Sequence, residues 1–217
     1  MAGRPPGRSE KGAQMEAHLY STAMASFAEQ GFEISMRQLA QSAGVSPGLL
    51  YRYFPSKHAL VLRLYTELSQ DFAEQKLAPG TWTARAQQAT ALSLATLQPH
   101  RELLQALLGV LVGVGEDSLF GANTTTARNS VISVFDRAIT ESSGQLRDPK
   151  ATALLAYFLH MGVLLFWLLD KSPEQRATAT LEALIPWRGL GLALKLPGSG
   201  ALVQGLAGCL QRGLLGQ

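Results

Sequence analysis

A chain of 217 residues, 47% hydrophobic and 16% charged, can bury one sizeable core or a small domain joined to a larger one, which excludes extended disorder. The net charge of +3 does not by itself single out nucleic acid, although six Lys/Arg against four Asp/Glu through Leu60 lean that way at the N-terminal end. The one cysteine, Cys209, excludes an internal disulfide and suits a reducing cytoplasm, and no apolar stretch of signal-peptide length follows Arg4 and Arg8.

Period-two alternation never persists beyond a few positions, so an all-α fold is expected. Leu19, Ala23, Met24 and Phe27 recur at helical spacing and Gly31 supplies a stop, predicting a first helix from about Glu10 to Gln30. Ser35-Met36-Arg37-Gln38 has the capping-box form, a hydroxyl residue with Glu or Gln three positions on, and opens a second helix that Gly44 ends. Ser46 as N-cap and Pro47 at the first helical position start a third, which closes near Phe54 before Pro55. Ser56 caps a fourth, carried through Leu60, Leu64 and Leu68 to around Gln75. After the Pro79-Gly80 break, helices are predicted over 83–97, 100–113, 125–141, 150–169, 174–195 and 199–213. Ser172-Pro173-Glu174-Gln175 has capping-box form and marks the start near 174, and Pro186 should kink or divide that helix.

Ala151 to Leu169 is nearly as long as a membrane span and carries no charge except a possible one on His160. A helix apolar all round is equally suited to the inside of a helical protein or to a subunit interface. The polar histidine at its middle, the flanking Lys150, Asp170 and Lys171, and the lack of a second such segment favour burial in protein over lipid.

Between Ser35 and Phe54, two short helices meet across a glycine-containing turn, the sequence form of a helix-turn-helix. Leu39, Ala40, Ala43, Val45, Leu50 and Tyr53 fall where the two helices must pack. Pro47, Gly48, Leu49, Tyr51 and Arg52 then face away and are free to meet DNA, where a recognition helix touches base edges mainly through its N-terminal residues. The positive ends of the helix dipoles at Ser35 and Ser46 favour phosphate. Helix-turn-helix shapes also occur in proteins that never touch DNA, Tyr51 and Tyr53 could serve as core aromatics, and Lys57 could be a solvated surface lysine.

Phe27-Ala28-Glu29-Gln30-Gly31-Phe32, Ser35-Met36-Arg37-Gln38-Leu39-Ala40, and Ala43-Gly44-Val45-Ser46-Pro47-Gly48-Leu49-Leu50-Tyr51-Arg52-Tyr53-Phe54-Pro55-Ser56-Lys57 follow one another in order. Over roughly residues 15 to 65 this stretch resembles the DNA-binding domain of the TetR family of regulators. The resemblance implies that Ser35 and Arg37 touch phosphate and sometimes a base, and that Pro47, Gly48 and Leu49 form the groove-facing start of the recognition helix. It also implies phosphate or base contacts for Tyr51 and Tyr53, a phosphate anchor in Lys57, and a minor-groove arm in Arg4, Arg8 and Lys11. Two positions depart from the pattern: Thr22 stands where alanine is frequent, and Leu49 where a smaller or hydroxylated residue is common. Leu49 cannot donate to phosphate and could touch a thymine methyl, leaving hydrogen-bonded base readout to Arg37, Tyr51 and Arg52.

The resemblance further implies residues 1–12 as a basic arm, 13–57 as the helix-turn-helix domain, and 58–217 as a helical ligand-binding and dimerisation domain reached through the fourth helix. Regulators of this kind work as homodimers on double-stranded inverted-repeat operators, their recognition helices about 34 to 36 Å apart. The dimer seam is expected where Ala151–Leu169 packs with the segment from Glu174 to Leu196. A repressor released by a small hydrophobic effector is the expected function; a constitutive DNA-binding protein without a ligand is the alternative, ahead of an enzyme or a membrane-associated helical protein.

The larger domain carries bulky groups at Trp82, Phe120, Phe135, Tyr157, Phe158, Trp167 and Trp187, most of them expected in ordinary core. His100, Phe120, Phe158, His160 and Trp167 are the candidates to line an effector cavity, the two histidines being equally readable as satisfied interior residues. His18, His58, His100 and His160 are dispersed without a metal-type cluster, and no catalytic constellation stands out, so neither a metal nor a cofactor is expected. The glycines of Gly109-Val110-Leu111-Val112-Gly113-Val114-Gly115 match neither a dinucleotide fingerprint nor a phosphate loop and read as a helix end or a loop.

Overall fold

The computed structural model describes residues 10–143, 146, 148–184, 187, 191, 194 and 199–215. The helices are α1 (Glu10–Gln30), α2 (Met36–Ser42), α3 (Pro47–Tyr53), α4 (Lys57–Ala73), α5 (Trp82–Leu97), α6 (Arg101–Ala106), α7 (Leu108–Leu111), α8 (Thr125–Thr140), α9 (Pro149–Leu169), α10 (Arg176–Leu184) and α11 (Ser199–Leu210). No strand occurs among the described residues; Thr81 and Ser143 form one isolated bridge. The predicted arm at Arg4 and Arg8 and the predicted kink at Pro186 lie outside the described residues, while Lys11 already belongs to α1.

The N-terminal stops and starts work as local chemistry requires. Gly31 and Gly44 take φ of +77° and +66°, the left-handed region that glycine enters without a Cβ clash. Ser35 and Gln38 cap reciprocally: Gln38 N donates to Ser35 Oγ over 3.2 Å and Ser35 N donates to Gln38 Oε1 over 2.9 Å. Ser46 and Ser56 each accept from the amide three residues on, Leu49 N at 3.3 Å and Ala59 N at 3.1 Å.

Two predicted elements differ. The helix expected over 100–113 is divided into a 3-10 turn at Gln98–His100, α6 and α7, with the break at Leu107. This segment buries leucines on two sides, Leu103 and Leu107 in the core and Leu104, Leu108 and Leu111 on a cavity wall, more than one straight helical stripe covers. The expected box at Ser172 does not form. Ser172 Oγ accepts from Ala177 N at 2.9 Å, and Glu174 and Gln175 take φ of 54° and 53°. The stronger acceptor is the Asp170 carboxylate, which receives Ser172 N at 2.8 Å, Thr178 N at 2.8 Å and Thr178 Oγ1 at 2.6 Å, and α10 begins only at Arg176.

One core cluster runs from the N-terminal helices into the rest of the chain, joining Leu19, Phe27, Leu39, Leu50, Leu60 and Leu64 to Leu94, Leu103, Leu107, Val163 and Trp167. A second gathers Phe72, Ala86, Ala89, Phe135, Ala156, Tyr157 and Trp187. The long apolar α9 crosses both, burying Ala153, Ala156, Tyr157, His160, Val163 and Trp167. It is long and apolar enough to cross a membrane, and 44% of its apolar window is buried inside the chain. Its other side leaves Leu165, Phe166 and Leu169 exposed. The α6 segment grips its C-terminus: Arg101 donates to the Trp167 and Asp170 carbonyls over 2.9 and 2.8 Å, and Gln105 to the Leu168 carbonyl over 2.7 Å. Since α6 also packs on α1, it couples the N-terminal helices to α9.

Candidate nucleic-acid interface and cavity

Helix α3 is seven residues long, too short to stand alone in water, so its position depends on what lies behind it. Leu50, Leu39 and Ala40 are each 1% exposed or less, Ala43 and Phe54 are also buried, and Val45 and Tyr53 pack half-buried against them. His18 Nε2 lies 3.2 Å from the Ala43 carbonyl, bringing α1 against the end of α2. Arg63 of α4 stacks on Tyr20 and pairs with Glu16 at 3.2 Å, tying α4 to α1.

The outer side carries what the inner side does not need. Ser46, Pro47, Gly48, Tyr51 and Arg52 are exposed on α3 and its cap, with Leu49 half-buried among them; Ser35 and Arg37 are exposed at the start of α2. Tyr51 shows 51% of its surface to solvent. Among the described residues Arg37, Tyr51 and Arg52 make no hydrogen bond or ion pair, which leaves two exposed cations and an exposed phenol without partners in the chain. A Cβ built on Gly48 would meet nothing within 4 Å, so no packing inside the chain demands glycine there. Lys57 is held differently: its ammonium donates to the Phe32 carbonyl and sits 4.4 Å from the centre of the Phe32 ring, which fixes the start of α4 against the α1–α2 loop.

A cavity of about 470 Å³ lies between α4, α5, α6, α7, α8 and α9. Its wall is almost wholly apolar and includes Leu68, Leu104, Leu108, Leu119, Met161 and Leu165. Phe120, Phe158 and His160, three of the expected residues, line it, and Phe120 stacks on Phe158 with ring centres 5.8 Å apart. His100 and Trp167 do not. His100 ends the 3-10 turn before α6, and the Trp167 indole is in the core, its N–H directed at Gln98 Oε1 at 3.2 Å. Burial holds the His160 imidazole down to about 4, so it is neutral at ordinary pH.

The loop 112–124 closes one side of this cavity and carries Leu119 and Phe120 on it. Thr124 Oγ1 donates to the Ser118 carbonyl over 2.7 Å, and Leu119 N donates to the Leu111 carbonyl over 3.0 Å. Gly121 is required there, since a Cβ would stand 2.0 Å from the Glu116 carbonyl oxygen.

The family profile described as "Bacterial regulatory proteins, tetR family" matches residues 19–64, the span that builds α1 to α4 around the turn. The HTH-type transcriptional repressor KstR of Rhodococcus jostii (strain RHA1) is 29% identical over 157 residues, covering 71% of this chain and 73% of that one. Residues 19–64 thus carry the DNA-binding domain of the tetR family. Solved structures extend the likeness in fold to most of the chain. A tetR-family transcriptional regulator from Streptomyces coelicolor superposes with a TM-score of 0.61 at 20% identity, over 88% of this chain and 87% of that one. The fatty acid degradation regulator FadR of Bacillus halodurans gives 0.59 at 16% identity, over 82% and 96%.

Several cavity residues had no distinct mark in the sequence. Tyr65, Ser69 and Phe72 of α4, and Leu104, Leu108 and Leu111 of α6 and α7, line the cavity without having been singled out in the sequence. The i, i+4, i+7 spacing of those leucines is a signal of burial, and whether a stripe meets another helix or a cavity is settled by its neighbours.

Proposed function

We propose that this TetR-family transcriptional regulator is a repressor that binds an inverted-repeat operator as a homodimer and is released by a small hydrophobic effector. The carrying observation is the outer side of α2 and α3, where Arg37, Tyr51 and Arg52 point outward without partners from a motif braced behind by Leu39, Ala40 and Leu50. On this reading Pro47, Gly48 and Leu49 enter the major groove and Arg37, Tyr51 and Arg52 supply hydrogen bonds to bases or phosphates. Ser35, Ser46 and Tyr53 contact the backbone, the two serines beside helix N-termini that favour phosphate. Lys57 adds positive charge near phosphate while its ammonium stays on Phe32. Such a protein works in the cytoplasm, on the chromosome.

The cavity supports effector control over a constitutive DNA-binding role, for which a solid core would be expected. Two elements join cavity to motif: α4, whose Leu60 and Leu64 pack with α1 while Tyr65, Leu68 and Phe72 line the cavity, and α6, which packs on α1 while Leu104 lines it. An effector that prefers one arrangement of these helices shifts the spacing of the two recognition helices, with coupling of roughly 1–3 kcal/mol. The seam lies on α9 and the helices that follow it, where Leu165, Phe166, Leu169, Leu202 and Leu206 are exposed.

Selection of bound fragments from random duplex DNA tests the reading: enriched sites with two-fold symmetry are expected, and binding with no preference over scrambled competitor overturns it. Tyr51→Ala should weaken binding to the enriched site while dimerisation and melting are unchanged; unchanged affinity removes Tyr51 from the interface.

A further inference from the structure

The atoms on the cavity wall also bear on what the effector carries, an inference that rests on the effector reading above. Tyr65 of α4 and His160 of α9 both line the cavity, and both are buried, at 8% and 1% exposed. The Tyr65 hydroxyl and His160 Nδ1 have no hydrogen-bond partner among the described residues. Native folds pair nearly all such groups, so two of them on side chains that line a mainly apolar cavity mark where a bound molecule puts polar atoms.

Tyr157 brings a third hydroxyl to the wall, which burial pushes up so that it keeps its proton, while Ser69, Ser93, Thr124 and Arg128 are engaged within the chain. Ser69 donates to the Thr66 carbonyl over 3.0 Å, Ser93 Oγ lies 3.3 Å from His160 Nε2, and Thr124 bonds the 118–121 loop. Arg128, the one charged residue among the lining residues, directs its guanidinium at the Leu119 carbonyl at 3.1 Å, the Gly121 carbonyl at 3.0 Å, and the hydroxyls of Thr124 at 3.2 Å and Thr125 at 3.1 Å. Its charge is thus met by loop dipoles. At the Tyr65 end the nearby charge is negative: burial first, and Asp117 second, push the phenol up, so it keeps its proton and donates. His160 is uncharged as well. A carboxylate lodged beside these two groups would be stripped of water with no free cation to receive it, whereas a carbonyl or hydroxyl oxygen needs only the hydrogen bonds on offer.

We propose that the effector is an uncharged, mainly apolar molecule bearing one or more carbonyl or hydroxyl oxygens, held by the Tyr65 hydroxyl and His160 Nδ1, and that ionised acids are refused. Because Tyr65 lies on α4 one turn beyond Val61, this bond acts on the helix that braces the DNA-binding motif.

Prodan, a neutral naphthyl ketone, is the probe: its emission is blue in apolar surroundings and moves to the red when its carbonyl accepts a hydrogen bond. Titrated into the full-length dimer, it should saturate at one site per chain. Tyr65→Phe should bind it about five- to tenfold more weakly, with emission shifted to the blue, as expected for one lost hydrogen bond to a desolvated carbonyl. The same variant should melt at or above the wild-type temperature, since it removes an unpartnered buried hydroxyl. A long-chain methyl ketone should displace the probe where dodecanoate, ionised at pH about 8, does not. Wild-type affinity and emission in both Tyr65→Phe and His160→Phe would sink the proposal while leaving the effector cavity standing. Preferential displacement by dodecanoate, lost in Arg128→Met, would replace it with an acid-binding site. Failure of the ketone probe and dodecanoate alike to enter would remove the effector reading along with this one.

Discussion

Two glycines four positions apart do opposite work. Gly44 stands at φ +66° and makes the turn, whereas Gly48 lies in α3 with open space where a Cβ would be. Gly44→Ala should therefore destabilise the fold by roughly 1–2 kcal/mol, the cost of forcing a side chain into the left-handed region. Gly48→Ala should leave stability unchanged or raise it by up to about 1 kcal/mol, because alanine is the better helix former, yet weaken operator binding by adding a methyl at the surface proposed to face the groove. Thermal unfolding and duplex titration of the two variants separate the roles; a Gly48→Ala protein with intact affinity would place Gly48 away from DNA. His160 makes a second prediction at this scale. The folded chain holds it near 4 against an ordinary 6.5, so the unfolded chain takes up the proton first. The neutral imidazole's contribution is whole above pH 6.5 and is lost as pH falls from there to about 4. Melting midpoints should drop across that window in the wild type and less steeply in His160→Phe; parallel slopes would mean that His160 is not buried in solution.

Among the elements, the α9–α10 junction shows a charged acceptor displacing a hydroxyl cap. The three donors received by Asp170 hold its carboxyl well below the ordinary 3.8, with the Thr178 hydroxyl bond the largest contribution. Because the folded value is the lower one, Asp170 adds stability above the ordinary value and loses it as pH falls through the folded one. Asp170→Asn should lower the melting midpoint at neutral pH, and the difference from wild type should shrink in strong acid; a constant difference would assign the effect to shape rather than charge. The Ser172 pattern was readable as a cap, but a stronger acceptor two residues earlier in the chain had first claim on the donors. The division at Leu107 has a similar origin. Pro99 and Gly109 weaken the helix locally, and the demand to bury leucines both toward α1 and toward the cavity decides where it breaks.

At the scale of the whole molecule, α9 and α11 leave apolar side chains in solvent that a second copy would cover. Leu202 and Leu206 of α11 are 64% and 49% exposed and lie one turn apart, while Val203 and Ala207 face inward. Replacing both leucines by glutamate should shift the protein toward monomer in sedimentation and reduce affinity for a two-fold operator far more than for a single half-site, since the second recognition helix is then no longer delivered with the first. A fully dimeric double variant would move the seam elsewhere.

By itself the amino-acid sequence determined the helices of the N-terminal motif, down to the serines that cap them and the glycines that stop them, because caps and left-handed turns are chemistry between residues at most a few positions apart. It determined the outward side of α3 for the same reason: helical periodicity sorts inside from outside without knowledge of any neighbour. The tertiary structure alone decided which polar groups end up beside empty space. Tyr65 and Arg128 were silent in the sequence, and His100 and Trp167 looked as eligible as Phe120, Phe158 and His160. A cavity is bounded by helices far apart along the chain, and whether a side chain meets another or faces the gap depends on how all of them pack at once.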